Sequence, residues 1–510
     1  MKTKLVWLTR QVIPVFAGAG VTLASAPFGF WPLALLSPAA LLLLINSLTP
    51  LQALFRGWLF GLGVFASGAS WVYVSIQVHG GTPVPLALLM TALFAAALAV
   101  FFALQAWIWQ RFLNGYLWLL TWPALWLLME VLRSWIFTGF PWLLLGTTHL
   151  ESPLKGWAPI LGVYGVSGLS VLAGLLLIWA LQPHWFHKHP SWQLRCSLPF
   201  PRKQLLALAS SLIILLSGLP LAQINWTQPQ GEALSAGLVQ GNIAQQDKWD
   251  PAKRQQIIRH YLNLSKEAGA VEVLLWPETA LPLMPRQARP FIDLALQQAG
   301  EKTALVTGLA SQVPDQPRFY NSLVTAGQAE EIYHKVKLVP FGEYLPLEAW
   351  LRGVIDFFDL PMSNFIPGPH HPANLSVLNT TVAPLICYEV AYPDFSARQA
   401  VNTQWLLTVS NDSWFGRSLG PLQHFQIARF RALETGREMA RVTNNGITAV
   451  LDHQGKVKKR LPQFQSDVLK ADIQPRTGNT PFMLFGSWPL LLVCLVLLAW
   501  RTLPNRSKKS

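Results

Sequence analysis

Acidic residues are nearly missing from the first 224 positions of this chain, where Glu130 and Glu151 stand alone. Charged side chains make up only 13% of the 510 residues, against 52% hydrophobic residues and 23 tryptophans. That balance excludes an ordinary water-soluble globular protein and leaves a multi-span membrane protein carrying a further domain. Cysteine is scarcer still, with Cys196, Cys387 and Cys494 far apart, so a disulfide framework is excluded. The sequence also has no phosphate-cradling glycine loop, no metal-ligand spacing among its histidines, no internal repeat and no low-complexity tract. No cofactor and no metal are therefore expected.

Long apolar runs fill the space that charge leaves. Seven precede residue 225, at about 11–28, 30–48, 54–77, 84–109, 113–132, 158–181 and 204–224, and an eighth spans about 482–500. Each is close to the ~17–25 residues that a helix needs to cross a bilayer. Gly57, Gly61, Gly63, Gly68 and Pro123 lie inside them, residues that weaken a soluble helix but are common in spans. The apolar segment 135–146 is too short to cross and is expected to be interfacial or re-entrant. Lys2, Lys4 and Arg10 followed by an apolar run and Ala24-Ser25-Ala26 resemble a secretory leader, but further spans follow at once, so an uncleaved first span is expected. The expected organisation is a membrane domain over 1–224, an α/β domain over 225–481, and a last span with a basic tail over 482–510.

A net charge of +14 would suit a nucleic-acid binder, yet its distribution says otherwise. Between 225 and 482 the 24 basic and 23 acidic residues nearly cancel. The surplus lies at the termini and in the loops after the second, fourth and sixth runs, through Arg56, Arg111, Lys188, Arg195, Arg202, Lys203 and the tail from Arg501. This is the positive-inside bias of a polytopic membrane protein, not a phosphate-binding face. It predicts cytoplasmic termini and, after seven spans, an extracytoplasmic 225–481 domain.

Within that domain the pattern shifts to short strand-like runs alternating with helical stretches. Strands are predicted at 236–239, 271–276, 303–307, 322–325, 382–386, 405–409 and 448–451, and helices at 251–268, 290–298 and 423–435. Glu278 and Cys387 each follow a buried-type strand and Lys335 closes another, and strand ends converge in α/β sheets. A lone thiol is more often a small buried hydrophobe than a nucleophile. Here, however, a carboxylate is available as general base, an ammonium as oxyanion partner, and Cys387 as nucleophile, with the backbone N–H of Tyr388 as a second oxyanion donor.

The residues Leu275-Trp276-Pro277-Glu278, Lys335 with Leu338-Val339-Pro340-Phe341-Gly342-Glu343, and Ile386-Cys387-Tyr388-Glu389 resemble the three signature segments of the carbon–nitrogen hydrolase (nitrilase) superfamily. Val239-Gln240-Gly241-Asn242, Ser410 to Gly416 and Thr443 to Ile447 extend the likeness. With seven runs before and one after, the whole chain resembles the apolipoprotein N-acyltransferase family. The resemblance implies an αββα sandwich, a Glu278, Lys335, Cys387 triad, and a bacterial inner-membrane enzyme with a periplasmic catalytic domain. It implies a phospholipid donor, phosphatidylethanolamine attacked at its sn-1 ester, and a diacylated apolipoprotein acceptor. Glu343 would then orient Lys335 or the incoming amine, and Glu389 is either a supporting carboxylate or a structural hydrogen-bond acceptor.

A thioester survives only if water is kept away, which directs attention to the apolar segment 351–366. Phe357, Phe358, Met362 and Phe365 are candidates for a lid, with burial in the core as the alternative. Trp249 resembles a substrate-side tryptophan of the family and could equally be packing. A membrane-tethered amidase would use the same triad and release a free acid. A transporter fits poorly, because the runs hold almost no ionisable residues. A non-catalytic lipoprotein-binding protein has no need of the triad.

Overall fold

The computed structural model describes residues 2–182, 200–300, 302–328, 330–346 and 364–502. Phe357, Phe358 and Met362 lie outside the described residues. The chain forms two compact units, one from residues within 1–71, 88–224 and 485–510, the other from residues within 72–87 and 225–484.

The first unit is helical. Among the described residues, Val84–Leu113, Pro153–Leu181 and Pro201–Leu221 are long and apolar enough to cross a membrane, a fourth span arising if Pro50–Gly68 and Val72–His79 count together. Gln11–Ala24, Pro32–Ile45 and Trp488–Thr502 are shorter apolar helices, and Trp118–Arg133 is a further helix. Polar punctuation trims the apolar runs into these helices. Thr49 accepts from the Gln52 N–H while the Gln52 side chain returns to the Thr49 N–H, a capping box that starts Pro50–Gly68. Gly63 lets that helix touch the first one, since a Cβ there would collide with the Val15 carbonyl.

Segment 135–146 is irregular, and its residues Trp142, Leu143, Leu144 and Leu145 are buried. Bare peptide groups in such a place need partners. Arg133 supplies them by donating to the carbonyls of Phe140 and Trp142, at 2.8 and 2.5 Å, and Glu130 accepts from the Leu145 N–H at 2.8 Å. The two ionisable residues near the end of this helix thus serve the backbone around them.

The second unit is a two-sheet sandwich. In chain order its elements are β1 (Leu234–Gln240), α1 (Arg254–Ala268), β2 (Val273–Leu275), α2 (Pro285–Ala299), β3 (Ala304–Gln312), β4 (Phe319–Ala326), β5 (Ile332–His334), β6 (Leu375–Val377), β7 (Thr380–Ile386), α3 (Pro393–Ala400), β8 (Trp405–Ser410), α4 (Gly420–Thr435), β9 (Met439–Thr443), β10 (Ala449–Leu451), β11 (Val457–Arg460) and β12 (Asp467–Ile473). One six-stranded sheet runs β12-β1-β2-β3-β4-β5 and the other β11-β10-β9-β8-β7-β6. The centre of each sheet is parallel, β1-β2-β3 in one and β7-β8-β9 in the other, and the flanks are antiparallel.

Alternation decides which side chains meet between the sheets. Leu238, Val273 and Leu275 turn inward to join Ile386, Leu407, Val409 and Val442, whereas their neighbours Val239 and Leu274 turn outward under α1 and α2. Each fully buried aliphatic side chain in this interior contributes about 1.5–3 kcal/mol. Helix α1 presents Ile257, Ile258, Tyr261 and Leu264 to that outer face and stops at Gly269, whose φ of +66° is open to glycine. With α3 packed on the other sheet, the order of layers is helix, sheet, sheet, helix.

Strands β6, β9, β11 and β12, helix α3 and the placement of residues 72–87 escaped the sequence pattern. Strand β9 is a central, fully buried strand, but Arg441 at its middle interrupts the apolar run that would announce it. Residues 72–87 continue an apolar stretch and yet belong to the second unit. Ser75 donates its hydroxyl to the Trp414 carbonyl at 2.8 Å, and the His79 ring nitrogen lies 2.9 Å from the Ser413 carbonyl.

Candidate active site

Five parallel strands deliver their carboxyl ends to one place. Gly241 and Asn242 follow β1, Glu278 follows β2, Cys387 follows β7, Asn411 and Asp412 follow β8, and Asn444 follows β9. Such ends carry the loops where α/β proteins bind ligands. The network linking them is polar and buried. Asn444 donates to the carbonyl of Ile243 at 2.7 Å and to Asn411 at 3.1 Å, and it accepts from the Ile243 N–H at 2.9 Å.

Glu278, Lys335 and Glu343 form one cluster, at 7%, 1% and 7% exposure. The Lys335 ammonium lies 2.8 Å from Glu343 Oε2 and 3.6 Å from Glu278 Oε1. Asn321, the third residue of β4, gives one amide hydrogen to each carboxylate, at 2.7 Å to Glu278 and 2.8 Å to Glu343. The second oxygen of Glu278 accepts from the Asn411 N–H at 2.8 Å. Burial works against the Lys335 charge, but Glu343 and then Glu278 outweigh it and hold the ammonium above its ordinary range. The lysine is therefore a fixed cation.

Cys387 occupies a sharp elbow. Its φ of +52° is a left-handed conformation in a residue with a side chain, a strain of the kind that collects at functional sites. Glu389 sets the turn that carries it. One oxygen accepts from the Ile386 N–H at 2.7 Å and the Tyr333 hydroxyl at 2.8 Å; the other accepts from the N–H groups of Val336 and Lys337 at 2.6 and 3.1 Å. This wholly buried carboxyl, pushed up to about 7 by burial against those donors, ties the cysteine elbow to the strand end that bears Lys335. Tyr388 begins the short turn after the cysteine and packs edge-on against Tyr392. Burial and then Glu278 push the Cys387 thiol up, while Lys335 draws it partly back.

Other sequence candidates lie apart from the side-chain hydrogen bonds of Glu278, Lys335 and Cys387. Trp249 is 41% exposed. Its neighbour Lys248 is buried, with its amine 3.2 Å from the Glu278 carbonyl. Phe365 is half-buried beside Phe319, its N–H on the carbonyl of Glu343 at 3.1 Å. Residue-level reasoning passed over Asn321, whose only signal was an amide in a largely buried strand. It gave no role to Ser410 and Asp412, though it noted the run that contains them, nor to His424 and Arg441, which sit inside an ordinary helix and a buried strand.

The fold and this carboxylate, ammonium and thiol cluster define the class, a carbon–nitrogen hydrolase domain. Residues 235–482 match the carbon-nitrogen hydrolase family, and residues 17–176 match the apolipoprotein N-acyltransferase N-terminal domain. The chain is 44% identical to an apolipoprotein N-acyltransferase of Pseudomonas putida, covering 99% of each, and 40% identical to one of Vibrio parahaemolyticus, covering 97% of each. This chain belongs to the apolipoprotein N-acyltransferase family. Among solved structures, a CN-hydrolase superfamily protein of Xanthomonas campestris aligns with 52% of this chain and 97% of its own, at 18% identity and a TM-score of 0.37.

Proposed function

We propose that this protein transfers a fatty acyl chain from a membrane phospholipid to the N-terminal amine of a diacylated apolipoprotein, with Cys387 carrying the chain between them. Glu278 removes the thiol proton, and the sulfur attacks the sn-1 ester of phosphatidylethanolamine. The C–O bond breaks, Glu278 returns the proton to the leaving alkoxide, and a lysophospholipid departs. The free α-amine of the diacylglyceryl-cysteine then loses a proton to Glu278 and attacks the thioester, giving an amide and the thiol again. Lys335 and the N–H of Tyr388 hold the oxyanion in both halves, a type of stabilisation that often supplies the largest share of catalysis. Such an exchange is ping-pong.

What carries this is the single buried cluster in which the Lys335 ammonium stands between Glu278 and Glu343 and is felt by the Cys387 sulfur. Full-length relatives named for the same transfer support the choice of substrates. The proposed topology has eight spans, cytoplasmic termini and a periplasmic catalytic domain in a bacterial inner membrane. The positive-inside bias of the loops and the apolar helices support it.

The test is to incubate the full-length protein with phosphatidylethanolamine vesicles, quench in acid, and weigh the peptide containing Cys387. An acyl adduct that is absent in Cys387→Ser and discharged by a diacylated lipopeptide amine is the expected result. Discharge by water alone would mean a hydrolase, and no adduct on any phospholipid would overturn the transfer.

A further inference from the structure

Behind the sulfur lies a second charged network that the triad does not use. Ser410, the last residue of β8, places its hydroxyl 2.6 Å from Asp412 Oδ1 and 3.5 Å from Cys387 Sγ. Rotation about one side-chain bond points the same hydrogen at either atom. Asp412 is held on its other oxygen by Arg441 at 2.8 Å, and all of Ser410, Asp412, His424 and Arg441 are at most 1% exposed. Arg441 also reaches His424 Nδ1 at 3.1 Å, while His424 Nε2 lies 3.1 Å from the Cys387 carbonyl.

The protonation pattern follows from these contacts. Burial and then Arg441 lower His424, while Asp412 raises it. Its Nδ1 stands 3.0 Å from Asp412 Oδ1 as well as beside Arg441, and its Nε2 meets the carbonyl of the strained elbow residue. Burial of Asp412 is outweighed by Arg441 and His424, which hold it well below the ordinary carboxylate range. Asp412 therefore stays an anion and takes no proton from the sulfur.

We propose that Ser410 is a positioning residue for the nucleophile, its hydroxyl bonded to Asp412 when the sulfur is a thiol or thioester and turned to the sulfur when it is a thiolate. The inference rests on Cys387 being the nucleophile. When Glu278 takes the thiol proton, the Ser410 hydrogen swings from the carboxylate to the new anion, and no bond to that hydrogen breaks. After acylation the sulfur becomes a poor acceptor and the hydroxyl returns to Asp412, which has kept Arg441 throughout. His424 holds the carbonyl of the same residue, so the sulfur keeps its place while its partner changes.

The experiment measures alkylation of Cys387 by iodoacetamide against pH in the full-length protein, read from the mass of the Cys387 peptide, with Ser410→Ala, Ser410→Thr, Asp412→Asn and the Ser410→Ala, Asp412→Asn pair. The charged groups facing the sulfur are Glu278 after β2, Lys335 after β5 and Asp412 after β8, and the serine variants leave all three unchanged. Ser410→Ala is expected to raise the midpoint by about one pH unit, a roughly tenfold slower alkylation below it, and Ser410→Thr to restore it. Asp412→Asn is expected to lower the midpoint, and by less when Ser410 is already alanine, because the freed hydroxyl is then missing. A Ser410→Ala profile superimposed on the parent, or strictly additive shifts in the pair, would overturn the proposal. Alkylation needs no phospholipid, so a missing acyl adduct with these shifts present would count against the transfer and not against the hydroxyl.

Discussion

Asn321→Leu tests the organisation of the proposed base, Glu278, more directly than removing Glu278 itself. The leucine keeps the volume and deletes both amide hydrogens, which lie 2.7 Å from Glu278 and 2.8 Å from Glu343. A hydrogen bond to a charged group is worth about 1.5–3 kcal/mol, so about 3–6 kcal/mol of gross interaction is at stake. Lys335 cannot take both over, since its ammonium already sits 2.8 Å from Glu343 and 3.6 Å from Glu278. Glu278 keeps the Asn411 N–H on its other oxygen and so loses one of two fixed points. A loss of about 3 kcal/mol in placing the base slows acylation roughly 100-fold. The assay is the single-turnover rate of acyl-adduct formation at Cys387, alongside the thermal midpoint. A folded variant that acylates within threefold of the parent would refute the reasoning.

Two further predictions concern the surroundings of Glu278. At Gly308 in β3, a Cβ would lie 2.6 Å from the Thr279 nitrogen and 2.7 Å from the Glu278 Cα, backbone atoms that cannot rotate away. Gly308→Ala should therefore cost about 1–3 kcal/mol of stability and also slow acylation by displacing the base, and a variant with parental acylation would show that the loop yields freely. Lys248 is a buried amine that burial depresses to about 8, partly opposed by Glu278. Between that value and its ordinary 10.5 the unfolded chain holds a proton that the folded chain lacks, so stability rises with pH across the window by about 3 kcal/mol. Lys248→Met should flatten that rise in thermal midpoint, and parallel curves for the two proteins from pH 7 to 10 would contradict it.

Much of the architecture was legible because its causes are local. Long uncharged runs read as apolar helices, of which three or four among the described residues are long enough to cross a membrane, and the switch to short alternating segments marked the α/β unit. Boundaries were less visible: the third run was read to residue 77, but its helix ends at Gly68 and the following residues pack against Ser413 and Trp414. Strand β9 was hidden by Arg441, whose burial makes sense only once Asp412 and His424 stand beside it. For Glu389 the sequence left two roles open. Its donors come from Tyr333, Val336, Lys337 and Ile386, which makes it the tie between the lysine strand and the cysteine elbow.

By itself, the sequence determined that a lone thiol, a carboxylate and an ammonium stand at strand ends in a domain of balanced charge attached to a basic, apolar membrane unit. Residue type and local period carry that much. Only the tertiary structure decided which groups hold the reactive ones: Asn321 reaches Glu278 across 43 residues, and Asn411 reaches it across 133. Those partnerships are set by strand order and register in two packed sheets. Ser410 shows the difference most plainly, as an unremarkable strand residue that the fold sets within reach of both the sulfur and a buried carboxylate.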